Sequence, residues 1–269
     1  MKITTRVSYY LLPLLTWMVG LSAAGPLPLP NAHAHNDYEH PRPLLDALDQ
    51  GFCSVEADIH LFEGQLLVAH DGKDLKPELT LQALYLNPLQ ELARENQGRI
   101  YPDGPEFTLL IDVKTDGEET YRALSYVLSE YQEILSGMHT PNEFSIRAVS
   151  VIISGNRATE IIATHKPRLA SIDGRIDDLD TTMPPELMPL ISDRWSKYFK
   201  WTGEGPFPEA EKHNLKKFVD KTHRSGRRFR LWAIPDKEVV WRELHIAGVD
   251  LINTDDLAGL ASFLNSNKR

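Results

Sequence analysis

The predicted fold class is α/β, and the predicted architecture is a (β/α)₈ TIM barrel with a β-hairpin inserted after the second strand. Short apolar runs rich in Val, Ile and Leu recur along the chain and alternate with stretches long enough for a helix, the pattern of a parallel α/β sheet. One run lies just across a Glu63-Gly64 pair from its predecessor, the signature of a tight hairpin that folds back outside the parallel set. Eight runs remain, and eight parallel strands with intervening helices close into a barrel.

The runs fall at about 31–35, 52–59, 66–70, 107–113, 147–153, 168–172, 187–192, 228–233 and 249–253. Between the first two, "PRPLLDALDQG" opens on prolines and stops at Gly51, the expected asymmetry of a helix. "GEETYRALSYVLSEYQEIL" and "EAEKHNLKKFVDKTHRSG" carry apolar residues at helical spacing. An open doubly wound sheet is the structural alternative. It usually carries a glycine-rich phosphate turn after its first strand, and here that turn reads "HAHNDYEHPRP", with no glycine.

The chain has 269 residues, 42% hydrophobic and 25% charged, with a formal net charge of −9. An acidic balance argues against generic nucleic-acid binding and against electrostatic docking on anionic membranes, while leaving room for a small anionic substrate in a locally cationic pocket. The single cysteine, Cys53, sits between Phe52 and Val55 and reads as a packed core residue. Residues 1–24 read as a signal peptide: "MKITTR" supplies cations, "VSYYLLPLLTWMVGLS" an apolar stretch, and "SAAG" small residues for cleavage. This implies a periplasmic or secreted protein with no stable membrane span in its mature form, made of one domain over 25–269.

Polar residues gather where barrel strands end, the end that carries chemistry in this fold. His33 and His35 close the first strand, and His70 ends the hairpin strand. Glu56 and Asp58 lie two apart on the second strand and so share a face. Asp112 and Lys114 end the next, Trp232 ends the seventh, and Asn253 and Asp255 end the eighth. Three carboxylates, Glu56, Asp58 and Asp112, converge with no equal set of cations, which suits one hard divalent ion with oxygen ligands. The competing reading pairs two of them with Lys114 and a nearby arginine. His40 and His60 read as structural.

The order of a His, a Glu-x-Asp about twenty residues on, a His about a dozen later and then Asp-x-Lys resembles the phosphatidylinositol-specific phospholipase C-like phosphodiesterases. That superfamily includes glycerophosphodiester phosphodiesterases and spider-venom phospholipase D. The phrases "HNDYEHPRPLLDAL", "SVEADI", "LYLNPL", "RLWAIPD" and "GVDLINTDDL" are similar to the altered inheritance of mitochondria protein 6 branch. The resemblance implies that His35 and His70 are the catalytic pair and that Glu56, Asp58 and Asp112 hold Mg²⁺ or Ca²⁺. It also implies that Lys114 contacts the phosphate and that Trp232 lines the pocket; Asn253, at the end of the eighth strand, is a further candidate substrate contact. Two positions depart from the glycerophosphodiesterase pattern. His35 is followed by Asn36-Asp37 instead of Arg-Gly, so that family's phosphate-binding arginine is missing there, and the third ligand is Asp112 instead of Glu.

The implied activity is metal-dependent hydrolysis of a small phosphodiester or phospholipid, with the histidines moving protons or attacking directly. An amidohydrolase-like barrel opening on "HAH" is an alternative. It needs further histidine ligands at later strand ends, and it leaves Glu56 and Asp58 idle. A catalytically silent binding barrel would show loss of a histidine or carboxylate, and none is lost.

Overall fold

Leu29–Ala34 (β1), Phe52–Phe62 (β2), Phe107–Val113, Val149–Gly155, Ser171–Gly174, Leu190–Arg194, Arg228–Trp232 and Leu251–Thr254 each pair in parallel with their neighbours, and the last pairs back to β1. The computed structural model describes residues 25–140 and 143–267. Numbered along the chain with the smaller strands Gln65–Val68 (β3), Gly137–Thr140 (β5) and Glu143–Ser145 (β6), the barrel strands are β1, β2, β4, β7, β8, β9, β10 and β11. Pairing of β1 with both β2 and β11 closes the ring. The predicted (β/α)₈ TIM barrel is therefore the observed one. β3 runs antiparallel to β2 from Phe62↔Gln65 to Ile59↔Val68. Its turn residues Glu63 and Gly64 have φ of 49° and 77°, the doubly positive backbone that a two-residue hairpin favours.

The helices are Leu45–Asp49 (α1), Asn87–Glu95 (α2), Gly117–Ser129 (α3), Thr159–Thr164 (α4), Trp195–Tyr198 (α5), Glu209–Arg224 (α6), Glu238–Ala247 (α7) and Leu257–Ser266 (α8). Two start on side-chain caps: Asp116 accepts from the Glu118 and Glu119 amides at 3.0 Å, and Asp256 accepts from the Gly259 amide at 2.9 Å, satisfying donors that the first turn leaves free. The main core lies between helices and barrel wall, with buried residues such as Val55, Leu109, Val151, Leu215 and Leu260. A separate small cluster, Leu110, Ile152, Leu190 and Leu251, fills the barrel interior.

α1 is shorter than its sequence suggests. Leu44 has φ 65° and ψ −50°, and the Leu45 amide bonds the Pro43 carbonyl at 2.8 Å. That is the rare γ-turn with a positive central φ. Buried Asp37 holds it: Oδ2 accepts from the Leu44 amide at 2.6 Å and from the Tyr85 hydroxyl at 2.9 Å. Burial pushes the Asp37 carboxyl up to about 6, against those two hydrogen bonds. The strain sits in the loop between β1 and β2, beside the candidate site.

The signal-peptide reading of residues 1–24 falls outside the described residues. Among the described residues no helix is long and apolar enough to cross a membrane.

Candidate active site

β2 supplies the first two carboxylates because its pleat turns Glu56 and Asp58 to the same, inner face. β4 is in register with it, Asp58 opposite Asp112, so the third carboxylate arrives at the level of the second. A ligand oxygen from each of Glu56, Asp58 and Asp112 lies within 4.8 Å of the others. Gly155 at the end of β7 makes room: its φ is +66°, and a Cβ there would run into Asp112 Oδ1 and the Val113 backbone.

The cations fall on particular oxygens. Lys114 Nζ lies 2.9 Å from Asp58 Oδ2 and 3.3 Å from Asp112 Oδ1. The Tyr38 hydroxyl donates to the same Asp58 oxygen at 2.8 Å. Asp58 Oδ1 is buried and has no hydrogen-bond partner among the described residues. Burial pushes the Asp58 carboxyl up to about 6 despite Lys114 and Tyr38. Asp112 is raised as well, again by burial working against Lys114. Glu56 goes the other way. Burial disfavours its charge, but Arg230 and His33 outweigh that and hold it well below the usual carboxylate range.

Arg230 was not among the residues singled out from sequence. Only 2% exposed, it lies inside the barrel, its Nη2 donating to Glu56 Oε2 and its Nε to Asn253 Oδ1 at 2.7 Å. His33 is fully buried between Ser54 Oγ at 2.7 Å from Nδ1 and Glu56 Oε2 at 3.2 Å from Nε2. Burial and the nearby Arg230 push its pKa down to about 3. His33 is therefore a neutral imidazole that accepts from Ser54 and donates to Glu56, and its contact with Glu56 is a hydrogen bond and not an ion pair. The sequence suggested apolar strand bodies with polar ends. The interior instead carries a wired polar layer of His33, Ser54, Glu56, Arg230 and Asn253.

His35 lies one pleat nearer the loop. Its Nδ1 meets Asp255 Oδ1 at 2.9 Å, which leaves Nε2 without a hydrogen-bond partner among the described residues. Burial opposes its charge, but the Asp255 hydrogen bond and the charge of Glu56 raise its pKa above the usual imidazole value. His70 is exposed, with Asp71 Oδ1 3.3 Å from Nδ1. Buried His60 anchors the backbone there, its Nε2 lying 3.1 Å from the Ala69 carbonyl and 3.3 Å from that of His70.

The structure thus brings Glu56, Asp58, Asp112 and Lys114 together. Asn253, expected at the substrate, is 3% exposed and serves Arg230. Trp232 is half-buried, with the Arg194 guanidinium 5.5 Å from its ring centroid. On the far wall, fully buried Asp173 accepts through Oδ2 from Ser154 at 2.8 Å, Ser192 at 2.6 Å and Arg175 at 2.7 Å.

Solved structures share this architecture. A calcium-dependent phosphoinositol-specific phospholipase C from a Pseudomonas species superposes with a TM-score of 0.57 at 12% identity, covering 88% of this chain and 93% of that one. A glycerophosphodiester phosphodiesterase from Parabacteroides distasonis gives 0.52 at 15% identity, covering 89% and 98%. At this identity they show the fold alone. Among curated sequences, an altered inheritance of mitochondria protein 6 homolog from Arthroderma benhamiae is 28% identical over 87% of this chain and 83% of its own length. The Eremothecium gossypii protein of that name is 29% identical over 87% and 69%. These names refer to mitochondria. They overturn the export reading, and the assignment to periplasm or secretion is withdrawn.

The model of the glycerophosphoryl diester phosphodiesterase family matches residues 228–258, from β10 to the start of α8. A second family model, the AIM6-like phosphodiesterase domain, matches residues 26–171, which hold all three converging carboxylates together with His35, His70 and Lys114. On that match, spanning more than half its length, the chain belongs to the AIM6-like phosphodiesterase domain family.

Proposed function

We propose that the chain is a metal-dependent phosphodiester hydrolase acting on a small phosphodiester or a phospholipid. The observation that carries this is the convergence of Glu56, Asp58 and Asp112 within 4.8 Å at one end of the barrel. The donor set fits a hard divalent ion, Mg²⁺ or Ca²⁺: all three residues offer carboxylate oxygens, and one oxygen of Asp58, Oδ1, is buried with no partner among the described residues. Arg230 and Lys114 offset part of the negative charge, as the competing reading requires, yet both Lys114 contacts leave that oxygen unserved. When bound, such an ion would supply Lewis-acid stabilisation of the charge that grows on the phosphoryl oxygens.

The chain's own residues divide the remaining work. Glu56, Asp58 and Asp112 would hold the ion, and Arg230 keeps Glu56 ionised. Lys114 adds positive charge beside the phosphate. Asp255 fixes His35 with Nδ1–H pointing at the carboxylate, so that Nε2 exchanges the proton. His70, oriented by Asp71, is the second group of the pair. Trp232 lines the substrate pocket beside Arg194.

The test is turnover of bis(p-nitrophenyl) phosphate by the full chain, before and after exhaustive chelation and after return of Mg²⁺ or Ca²⁺. Activity lost on chelation, restored by one ion and absent in Asp58→Asn is the expected result. Full activity after chelation sinks the metal assignment, and no turnover under any condition sinks the hydrolase.

A further inference from the structure

A groove of about 730 Å³ opens beside His70 and Tyr38, within the size range of small-molecule sites. Its ends belong to the proposed site, because Tyr38 donates to Asp58 and His70 is one of the proposed proton carriers. Its floor does not. Between the loop after β1 and the segment after β3, the lining is Val68, Leu75, Leu79 and Leu84, walled by Pro41 and Pro43. Val68 is buried, while the three leucines are only half-buried, so they show apolar surface to the groove that no side chain of the described residues covers. The rim is charge-balanced: Lys73 and Lys76 stand with Glu39 and Asp74. Net charge therefore selects nothing here, and the floor selects for hydrocarbon.

We infer that this groove holds the alkyl chain of an amphiphilic phosphodiester, which makes the substrate class a single-chain lipid phosphodiester. The inference rests on the proposed catalytic reading for the position of the phosphate. The groove reaches the carboxylates through Tyr38, which lines it and donates to Asp58, so a chain esterified to the scissile phosphate runs from the site past Tyr38 and His70 onto the leucines. The groove offers one apolar floor beside the site, and one floor takes one chain.

The probe is a set of n-alkyl phosphates with four, eight and twelve carbons, titrated by calorimetry below their micelle concentrations. They are monoesters and so are not substrates of a phosphodiesterase. Binding should tighten about two- to fourfold per added methylene while the groove fills. Leu79→Gln with Leu84→Gln should flatten that dependence and leave butyl phosphate binding unchanged. If the double variant melts early, Leu75→Gln alone should still reduce the slope. Affinity that does not change with chain length, or a slope that survives these substitutions, overturns the inference. Diester turnover measured in parallel separates the two readings: turnover with a flat slope sinks the groove alone, and a slope without turnover sinks the catalytic reading and leaves the groove.

Discussion

Arg230 and Glu56 stand 174 positions apart in the chain and meet as a buried ion pair across the barrel, the guanidinium donating to Oε2. The pair lies beneath the site and fixes one of its three carboxylates. Its strength comes from completeness: Arg230 also reaches Asn253, and the same Glu56 oxygen accepts from His33.

Removing one partner of such a pair leaves a buried charge uncompensated. Arg230→Met should therefore lower stability by about 3–5 kcal/mol, read as a shift in the urea midpoint. Arg230→Lys should recover part of the loss, because it restores charge without the fork that spans Glu56 and Asn253. An unchanged midpoint for Arg230→Met would show that Glu56 finds its counter-charge elsewhere.

His33 and His35 should separate cleanly. His35→Ala should lower turnover by about 10²–10⁴-fold with melting unchanged. His33→Ala leaves Ser54 and Glu56 without a shared partner and should cost about 1–3 kcal/mol of stability, with the smaller loss of turnover. The opposite pattern, a dead His33 variant and a near-normal His35 variant, would transfer the catalytic role to the buried residue.

Asp37 predicts a pH dependence of stability. Its folded pKa of about 6 lies above the ordinary aspartate value of 3.8, so the folded state binds its proton more tightly. The stabilisation is complete below about 3.8 and is lost as pH rises through about 6, on the order of 2–3 kcal/mol in total. Asp37→Asn lacks this titration. The stability difference between wild type and Asp37→Asn, followed by urea unfolding from pH 4 to 7, should move against wild type as pH rises. Parallel curves would show that the buried carboxyl stays ionised throughout.

The barrel was legible because each strand is a short apolar run set off by helix or turn, and the hairpin because Glu63-Gly64 leaves two residues for the reversal. Glu56 and Asp58 were legible because a two-residue spacing inside a buried strand aims both at one face. Arg230 was not. "RFRLW" counts as one of the apolar runs, and nothing local says that its alternate face, in a closed barrel, points inward and buries a cation. The signal was present in parity: Arg230 shares the face of Trp232, already placed at the mouth. The bond between Asn253 and Arg230 was not legible either, because the two lie on different strands. The role of Asp37 was not legible, since nothing local reveals the Leu44 amide and Tyr85 hydroxyl that it holds. The apolar N-terminal run invited an export reading that the relatives' names contradict.

The strand β2 has one further consequence. Glu56, Asp58 and His60 occupy alternate positions along it, the first two as candidate ligands and the third gripping the carbonyls of Ala69 and His70. A pairing slip of one residue would turn all three outward at once. No partly correct alignment of this strand keeps the carboxylates while losing the hairpin anchor, or the reverse. The carboxylate cluster and the hairpin anchor are therefore set by one register, and are gained or lost together.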